Sequence, residues 1–239
     1  MFVVYLFIFF IGLCLGSFTN VLIWRIPKGL SIKGRSVCRK CKSKISWYDN
    51  VPLLSYILLK GRCRKCKSRI SLSYPLVELL SGTILVLLFL KSGLSYEMIL
   101  FTILSPILIS IFFIDLKHQI IPDELVFWGI GFSFLYSLFI FPQFIYSSIF
   151  AGFISSSTLL FLYIITKSKG MGLGDVKFAI LGGMIAGFTN IFHWLFWAFL
   201  TGAFVGVILI LGKKYSLKSK IAFGPFMIFA LYLIIFFKI

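Results

Sequence analysis

Apolar residues in this chain come in long, nearly unbroken runs that are separated by short polar segments. An α-helix needs about 20 apolar residues to cross the hydrocarbon core of a bilayer, so each long run is a candidate membrane helix. Eight such runs are present, at about residues 2–24, 75–90, 97–116, 124–141, 144–166, 176–189, 191–211 and 221–237. The pattern predicts an all-α, polytopic membrane protein with about eight transmembrane helices.

The composition agrees with that prediction. Of 239 residues, 60% are hydrophobic and only 13% are charged, with a mean hydropathy of +1.04. The first run lacks a basic amino-terminal region and is followed by Arg25 and Pro27 rather than a small-residue cleavage site, so it is predicted to be a retained helix. The sixth run is short and contains Gly182, Gly183 and Gly187, which let neighbouring helices approach closely.

The net charge of +17 is explained by where the basic residues lie. Fourteen of the 24 Lys and Arg residues fall between Arg25 and Arg69. With eight crossings and that loop inside, 22 basic residues lie inside and only Lys91 and Lys238 outside, as the positive-inside rule predicts. The other inside residues are Lys117, Lys167, Lys169, Lys177, Lys213, Lys214, Lys218 and Lys220. This places the amino terminus outside and the loop in the cytosol, and nucleic-acid binding is disfavoured because no binding module is recognisable.

The polar segment defines the predicted domain organisation: a first transmembrane helix over 1–24, a basic cytosolic loop over 25–74, and a seven-helix membrane domain over 75–239. Within the loop, Cys38-Arg-Lys-Cys41-Lys-Ser-Lys-Ile-Ser46 recurs as Cys63-Arg-Lys-Cys66-Lys-Ser-Arg-Ile-Ser71, identical at eight of nine positions. The loop is therefore an internal repeat built around two C-x-x-C pairs.

Two C-x-x-C pairs supply the four thiolates that a tetrahedral structural zinc site requires. The predicted zinc ligands are Cys38, Cys41, Cys63 and Cys66. The alternative is a pair of disulfides or four unrelated thiols, and a reducing cytosol disfavours disulfides. A fully ligated zinc has no open position for water, so this site is expected to fold the loop rather than to catalyse a reaction. The fifth cysteine, Cys14, is expected to be an inert thiol in the first helix.

The candidates for acid–base chemistry are few. The chain has seven acidic residues and two histidines, with no H-E-x-x-H motif and no recognisable Ser, His and Asp set. Acidic residues within or at the ends of membrane helices are costly, and for that reason they are functional candidates by default. The seven acids are Asp49, Glu78, Glu97, Asp115, Asp123, Glu124 and Asp175.

Asp115 and Asp175 are the candidate catalytic pair. Asp115 ends the third apolar run and Asp175 opens the sixth, and the even number of crossings between them returns the chain to the same membrane face. Two carboxylates at close range share a proton and can act together as general base and general acid on one water, which is aspartic protease chemistry. Gly172 and Gly174 carry no side chain that would block a substrate backbone from approaching Asp175.

Three structural interpretations compete with this hypothesis. Asp175 would cap the sixth helix, or Asp115 would be an interfacial carboxylate paired with Lys117 or His118. The glycines of 170–174 would form a phosphate loop, although no strand precedes them and a Walker lysine is absent.

Two further acids have open roles at this point. Asp123 follows Pro122 and fits the turn at the start of the fourth helix. Glu78 lies just inside the second helix, where it either faces the site or pairs with a cation of the loop.

These residues resemble the prepilin peptidase family, also called type IV leader peptidases, and more distantly other GxGD membrane aspartic proteases such as preflagellin peptidases and presenilins. The resemblance covers essentially the whole chain, and five elements in this order are highly specific. They are Gly16-Ser17-Phe18-Thr19-Asn20-Val21 with Arg25 and Pro27; the four-cysteine loop; Tyr74-Pro75-Leu76-Val77-Glu78; Asp115 with Ile121-Pro122-Asp123; and Gly172-Leu173-Gly174-Asp175-Val176-Lys177.

The resemblance implies cleavage of type IV pilin-like precursors after a glycine that ends a short basic leader, at the cytosolic face of a bacterial inner membrane. It implies catalysis by Asp115 and Asp175, with supporting motif residues Gly172, Gly174, Lys177, Asp123 and Glu78. It also implies N-methylation of the new amino terminus with S-adenosylmethionine as methyl donor. The expected partners are pilin or pseudopilin precursors and membrane lipids.

The chain departs from the family pattern at two positions of the loop. Arg39 stands where proline often follows the first cysteine, and Ser73 stands where arginine often precedes Tyr-Pro. No soluble Rossmann-like methyltransferase domain is recognisable, so a methyl-donor site must be built from the loop and neighbouring helix ends. A leader peptidase without methyl transfer is the nearer alternative function. A small transporter or scaffold is the alternative from another class, and it predicts acids spread through the bilayer depth.

Overall fold

The architecture is all-α, as the sequence predicts. A computed structural model describes residues 2–168, 170–212 and 221–237. Within these residues there are nine α-helices and no β-strand, only two isolated bridges, Val37 to Lys44 and Arg62 to Arg69. The helices are α1 Phe2–Arg25, α2 Leu54–Leu58, α3 Ser73–Ser92, α4 Tyr96–His118, α5 Asp123–Ile140, α6 Ile145–Ile165, α7 Leu173–Ala186, α8 Ile191–Leu211 and α9 Gly224–Phe237.

Six of the described helices are long and apolar enough to cross a membrane: α1, α3, α4, α5, α6 and α8. The chain is therefore a multi-pass membrane protein. Helices α7 and α9 have 14 residues each, about 21 Å at 1.5 Å per residue, which is less than the roughly 30 Å of the hydrocarbon core. The number of eight crossings remains a prediction. Of the lysines counted above, six lie outside the described residues: Lys169, Lys213, Lys214, Lys218, Lys220 and Lys238.

The chain forms two compact units, an N-terminal unit of residues 1–110 and a C-terminal unit of residues 111–239. In the N-terminal unit, α1 packs along α3 through small residues. A Cβ atom added at Gly12 would lie 2.6 Å from the Gly82 Cα, and one added at Gly16 would lie 2.6 Å from the Glu78 Cα. The helices approach this closely only because α1 carries glycines at these positions.

In the C-terminal unit, α7 packs against α5, α6, α8 and α9. A Cβ atom added at Gly152 of α6 would lie 2.8 Å from the Ile180 carbonyl oxygen of α7. Gly182 and Gly183 are likewise close-packed, as predicted, whereas Gly187 has open space around it and a φ of +76°. Gly187 therefore follows the last residue of α7, and the helix covers residues 173–186 rather than the predicted 176–189.

Candidate active site and four-cysteine loop

Asp115 lies in the last turn of α4 and is buried, with 4% of its surface exposed. Its Oδ2 accepts a hydrogen bond from the backbone N–H of Gly224 at 3.0 Å. Gly224 is the first residue of α9, and the first N–H groups of a helix have no partner within the helix. The Asp115 carboxylate therefore satisfies a donor at a helix amino terminus, where the helix dipole favours negative charge.

Asp175 is the third residue of α7 and is also buried, with 7% of its surface exposed. Its Oδ2 accepts a hydrogen bond from the backbone N–H of Gly172 at 3.0 Å, so the side chain reaches back to the residue before the helix, as in a capping box. The capping interpretation of Asp175 thus describes a real contact. Only Oδ2 takes part in this hydrogen bond, and Oδ1 does not.

The Ile121 side chain lies beside two glycines, Gly174, which precedes Asp175, and Gly224, which binds Asp115. A Cβ atom added at Gly174 would lie 3.1 Å from the Ile121 Cβ, and one added at Gly224 would lie 3.2 Å from the Ile121 Cδ1. The start of α7 and the start of α9 therefore both pack against this one side chain.

The other acids and cations of the predicted site have different partners. Lys177 Nζ lies 2.8 Å from each carboxylate oxygen of Asp123, and both side chains are about half exposed. This ion pair ties the start of α5 to α7. Among the ion pairs of the described residues, none joins Asp115 to Lys117 or His118.

The two C-x-x-C segments form two copies of one hairpin. In the first, the Cys38 N–H donates to the Ser43 carbonyl at 2.9 Å and the Lys42 N–H donates to the Cys38 carbonyl at 2.9 Å. The same two bonds recur 25 residues later, from Cys63 to Ser68 and from Lys67 to Cys63, each at 2.9 Å. Lys42 and Lys67 both have a positive φ, of 55° and 56°. The sequence repeat is therefore a structural repeat.

The hairpins bring all four sulfur atoms of the loop together. The Sγ atoms of Cys38, Cys41, Cys63 and Cys66 lie within 4.8 Å of one another. The Cys38 and Cys66 Sγ atoms are 3.8 Å apart, far longer than the roughly 2.05 Å of a disulfide bond. A tetrahedron with zinc–sulfur bonds of about 2.3 Å has sulfur–sulfur edges of about 3.8 Å. The cluster therefore suits a tetrahedral metal ion.

Local hydrogen bonds also favour the thiolate form at two of the four cysteines, Cys38 and Cys66, whereas burial and these two neighbouring thiols raise the pKa of the Cys63 thiol. N–H groups of Cys41 and Lys40 donate to the Cys38 sulfur and lower the pKa of this thiol to about 6. The Ser68 hydroxyl, followed by the Ser68 N–H, lowers the pKa of the Cys66 thiol. Thiolates are the ligating form of cysteine, so the hairpin geometry prepares both side chains for metal binding.

Glu78 fixes the loop to α3 rather than pairing with a cation. It is buried, and its Oε2 accepts a hydrogen bond from the Leu53 backbone N–H at 2.9 Å. Leu53 has φ 59° and ψ −51°, a conformation that is strained for a residue with a side chain. The buried carboxylate holds this turn in place.

Arg25 and Asn20 organise the base of the loop. The Arg25 guanidinium donates to four backbone carbonyls at 2.6 to 3.4 Å, those of Ser31, Lys33, Gly34 and Arg35. The Asn20 side-chain amide donates to the Tyr74 carbonyl at 3.1 Å, which joins α1 to the start of α3.

A cavity of about 410 Å³ lies between this base and the cysteine hairpins, entirely within the N-terminal unit. Its lining includes Asn20, Trp24, Arg39, Tyr74 and Glu78. The Arg39 guanidinium carbon lies 5.3 Å from the centre of the Trp24 ring and 4.8 Å from the centre of the Tyr74 ring. Two aromatic side chains therefore face a cation inside the cavity.

Sequence reasoning missed the part played by Gly224. The only signal was a Gly-Pro pair, Gly224-Pro225, at the start of the last apolar run. The roles of Asn20 and Arg25 as supports of the loop were also missed, although both stand in the first motif of the resemblance.

The comparisons with known proteins agree over most of the chain. The model of the Bacterial Peptidase A24 N-terminal domain matches residues 10–92, and that of the Type IV leader peptidase family matches residues 102–207. Relatives named prepilin leader peptidase/N-methyltransferase include one from Vibrio cholerae, 35% identical over 77% of this chain and 78% of its own, and one from Neisseria gonorrhoeae, 30% identical over 90% and 84%. A third, from Myxococcus xanthus, is 34% identical over 86% of this chain, which spans 63% of that relative's length. No solved structure matches the chain.

Proposed function

Because this chain belongs to the type IV leader peptidase family, we propose that it is a membrane aspartic endopeptidase that removes the basic leader from type IV prepilin-like precursors and then N-methylates the new amino terminus. The names of its relatives support a prepilin substrate and the second activity. The proposed substrates are pilin or pseudopilin precursors. The family assignment does not favour a peptidase without methyl transfer, nor a transporter or scaffold.

The observation that carries the peptidase activity is the placement of Asp115 and Asp175. Both carboxyl groups are buried in the C-terminal unit, each accepts one backbone N–H through Oδ2, and Ile121 lies beside both Gly174 and Gly224, the glycines next to them. Such a pair holds one proton between its members, because two neighbouring carboxylates do not both ionise readily.

The proposed reaction follows from that shared proton. The ionised carboxylate takes a proton from a water molecule, whose oxygen attacks the carbonyl carbon of the scissile peptide bond, and the protonated carboxyl group gives its proton to the departing nitrogen as the carbon–nitrogen bond breaks. Gly172 leaves the Asp175 carboxylate uncovered by a side chain, and Gly174 lets the start of α7 pack closely against Ile121. Asp123 and Lys177 support this arrangement by tying α5 to α7.

The four cysteines of the loop hold a structural zinc ion in this proposal. The sulfur separations and the lowered pKa of the Cys38 thiol support a tetrahedral site with four protein ligands. Bound zinc would hold the two hairpins together and would leave no ligand position for a reacting water molecule.

The proposed location is the bacterial inner membrane, with the amino terminus outside and the loop and aspartates at the cytosolic face. The distribution of basic residues supports this orientation. Reporter fusions placed after α3 and within the loop would report opposite sides of the membrane.

Co-expression with a prepilin precursor tests the whole proposal, with the substrate's amino terminus measured by mass spectrometry. We expect loss of the leader together with a gain of 14 Da for one methyl group. A precursor that stays full length would contradict the peptidase activity, and a cleaved but unmethylated product would contradict the methyl transfer.

A further inference from the structure

We propose that an open pocket beside the second cysteine hairpin binds the phosphate group of an anionic phospholipid through Lys60, Arg62 and Arg69. This second pocket shares part of its lining, Arg69 included, with the cavity described above. It lies within the N-terminal unit and has a volume of about 550 Å³, in the range of roughly 300–1,000 Å³ that is typical of ligand sites. The proposal depends neither on leader cleavage nor on methyl transfer.

The backbone holds Arg62 and Arg69 directly opposite each other. The two residues form an isolated antiparallel bridge at the base of the second hairpin, and the side chains of such a pair lie on one face. Like charges in directly opposite positions are destabilising. A phosphate bound by both guanidinium groups would replace this repulsion with attraction, because each group would then face a negative charge.

The first hairpin shows that the repeat does not need this arginine pair. Its equivalent bridge joins Val37 to Lys44, so the residue that corresponds to Arg62 is an uncharged valine. Both copies nevertheless form the same two backbone hydrogen bonds. The second cation of the bridge is therefore a feature of the second hairpin alone. Because the hairpin forms without it, the arginine pair points to a ligand.

Lys60 adds a third cation where α2 leads into the hairpin. The Lys60 N–H donates to the Ile57 carbonyl and the Arg62 N–H to the Leu59 carbonyl, each at 3.0 Å, so the turn between α2 and the hairpin is tight. None of the ion pairs of the described residues includes a cation of this pocket, and its lining contains no acidic residue from the described chain. These charges fit a phosphate, which accepts hydrogen bonds from guanidinium and ammonium groups.

Apolar side chains beside the pocket favour a phospholipid over a free phosphate ion. Leu72 lines the pocket, is 72% exposed and directly precedes the membrane helix α3. Leu76, Leu79 and Leu80 are also exposed, and they continue the face of Leu72 along α3 because residues four, seven and eight apart share a helix face. Acyl chains can follow this apolar face from the pocket into the bilayer.

The outer face of α2 provides a further contact with the membrane surface. Leu54, Ile57 and Leu58 are each more than half exposed, and their i, i+3 and i+4 spacing places them on one face of the helix. The Tyr56 hydroxyl donates to the Ile70 carbonyl at 3.4 Å and fixes α2 to the second hairpin. Exposed apolar side chains next to cations are typical of segments that lie in the interface of an anionic membrane.

Native mass spectrometry of the purified full-length protein tests the site. The detergent-solubilised protein is titrated with phosphatidylglycerol and, separately, with phosphatidylcholine of the same acyl chains. We expect one phosphatidylglycerol to bind each chain saturably and phosphatidylcholine not to do so. Arg62→Gln and Arg69→Gln should each weaken phosphatidylglycerol binding about fivefold. Lys67→Gln is the matched control, because Lys67 lies in the same hairpin, is exposed and does not line the pocket.

Arg62→Val separates lipid binding from folding, because it copies the bridge that Val37 makes in the first hairpin. In lipid-free detergent this variant should unfold at or above the wild-type temperature, since the repulsion between the arginines is removed. Added phosphatidylglycerol should raise the unfolding temperature of the wild type but not that of Arg62→Val. A variant that unfolds at a lower temperature than the wild type would show that the arginine pair serves the hairpin itself.

Three binding results would overturn the assignment in distinguishable ways. Equal binding of the two lipids, or phosphatidylglycerol binding that is unchanged in both glutamine variants of the arginines, would contradict a headgroup site. Inorganic phosphate that binds as tightly as phosphatidylglycerol and displaces it would make the pocket a site for the free ion. An equal loss of binding in Lys67→Gln would show attraction to the total positive charge of the loop rather than a defined site.

Discussion

The Oδ2 atom of Asp115 and the backbone N–H of Gly224, 109 residues apart in the sequence, are joined by a buried hydrogen bond of 3.0 Å. A Cβ atom at position 224 would lie only 2.7 Å from that oxygen. Any side chain at the first residue of α9 would collide with the Asp115 carboxylate. The position of that carboxylate therefore depends on glycine at position 224.

This contact makes a prediction about Gly224→Ala. The added methyl group pushes the Asp115 carboxylate away from its donor, so leader cleavage is expected to fall by about tenfold or more while the protein remains in the membrane. Gly131→Ala is the matched control, since Gly131 lies in helix α5 with nothing within 4 Å of an added Cβ atom. Equal activity of the two variants in a cleavage assay with detergent-solubilised protein would contradict this role.

Replacing either aspartate with its amide tests the catalytic pair. Asp115→Asn and Asp175→Asn are each expected to lower cleavage by roughly a hundredfold or more, because an amide neither takes nor shares the proton. Serine-protease reagents should have no effect. Glu97→Gln serves as control, because Glu97 lies in the first turn of the same helix as Asp115 and its carboxylate is 3.7 Å from the Lys91 ammonium. Near wild-type processing by either asparagine variant would disprove the pair.

The ion pair of Asp123 and Lys177 is expected to position α5 against α7. Asp123→Lys and Lys177→Asp should each reduce cleavage, and the double variant should recover much of the loss, because the exchange restores the attraction with opposite polarity. The contribution to stability should stay below about 1 kcal/mol, as both side chains are about half exposed. If the double variant is no better than the worse single one, the two residues act through something other than their mutual contact.

Metal content tests the four-cysteine loop. Elemental analysis of protein purified under reducing conditions should find one zinc ion per chain. Changing any one of the four loop cysteines to serine should remove most of it, because the tetrahedron is left open. Cys14→Ser in α1 should retain the metal. A zinc-free wild type, or a Cys63→Ser variant that keeps a full complement of zinc, would contradict the site.

The sequence predicted those parts of the structure that depend on local pattern. The apolar runs located the long helices, and the repeat around Cys38 and Cys63 indicated two equivalent segments, which the structure shows to be hairpins. The predicted end of α7 lies three residues too far along the chain, because Gly187 was interpreted as a packing glycine. Gly187 instead follows the last residue of the helix and has a positive φ.

The contacts that position the carboxylates could not be predicted in this way. The hydrogen bond between Asp115 and Gly224 joins residues from distant helices, and no periodicity encodes it. Glu78 was expected to face the site or a cation, but its partner is a backbone N–H presented by a strained turn at Leu53. Such contacts follow from tertiary packing, which one sequence does not reveal.

The duplicated hairpins have a consequence for the folding of the loop. Each copy brings only two sulfur atoms, so neither copy can complete a four-coordinate centre without the other, and one ion would act as a cross-link between chain segments 25 residues apart. Holding together the ends of a loop of that length costs about 3 kcal/mol of chain entropy. The free energy of metal binding would offset this entropy cost. The polar loop depends on such a cross-link because it has few buried apolar side chains of its own.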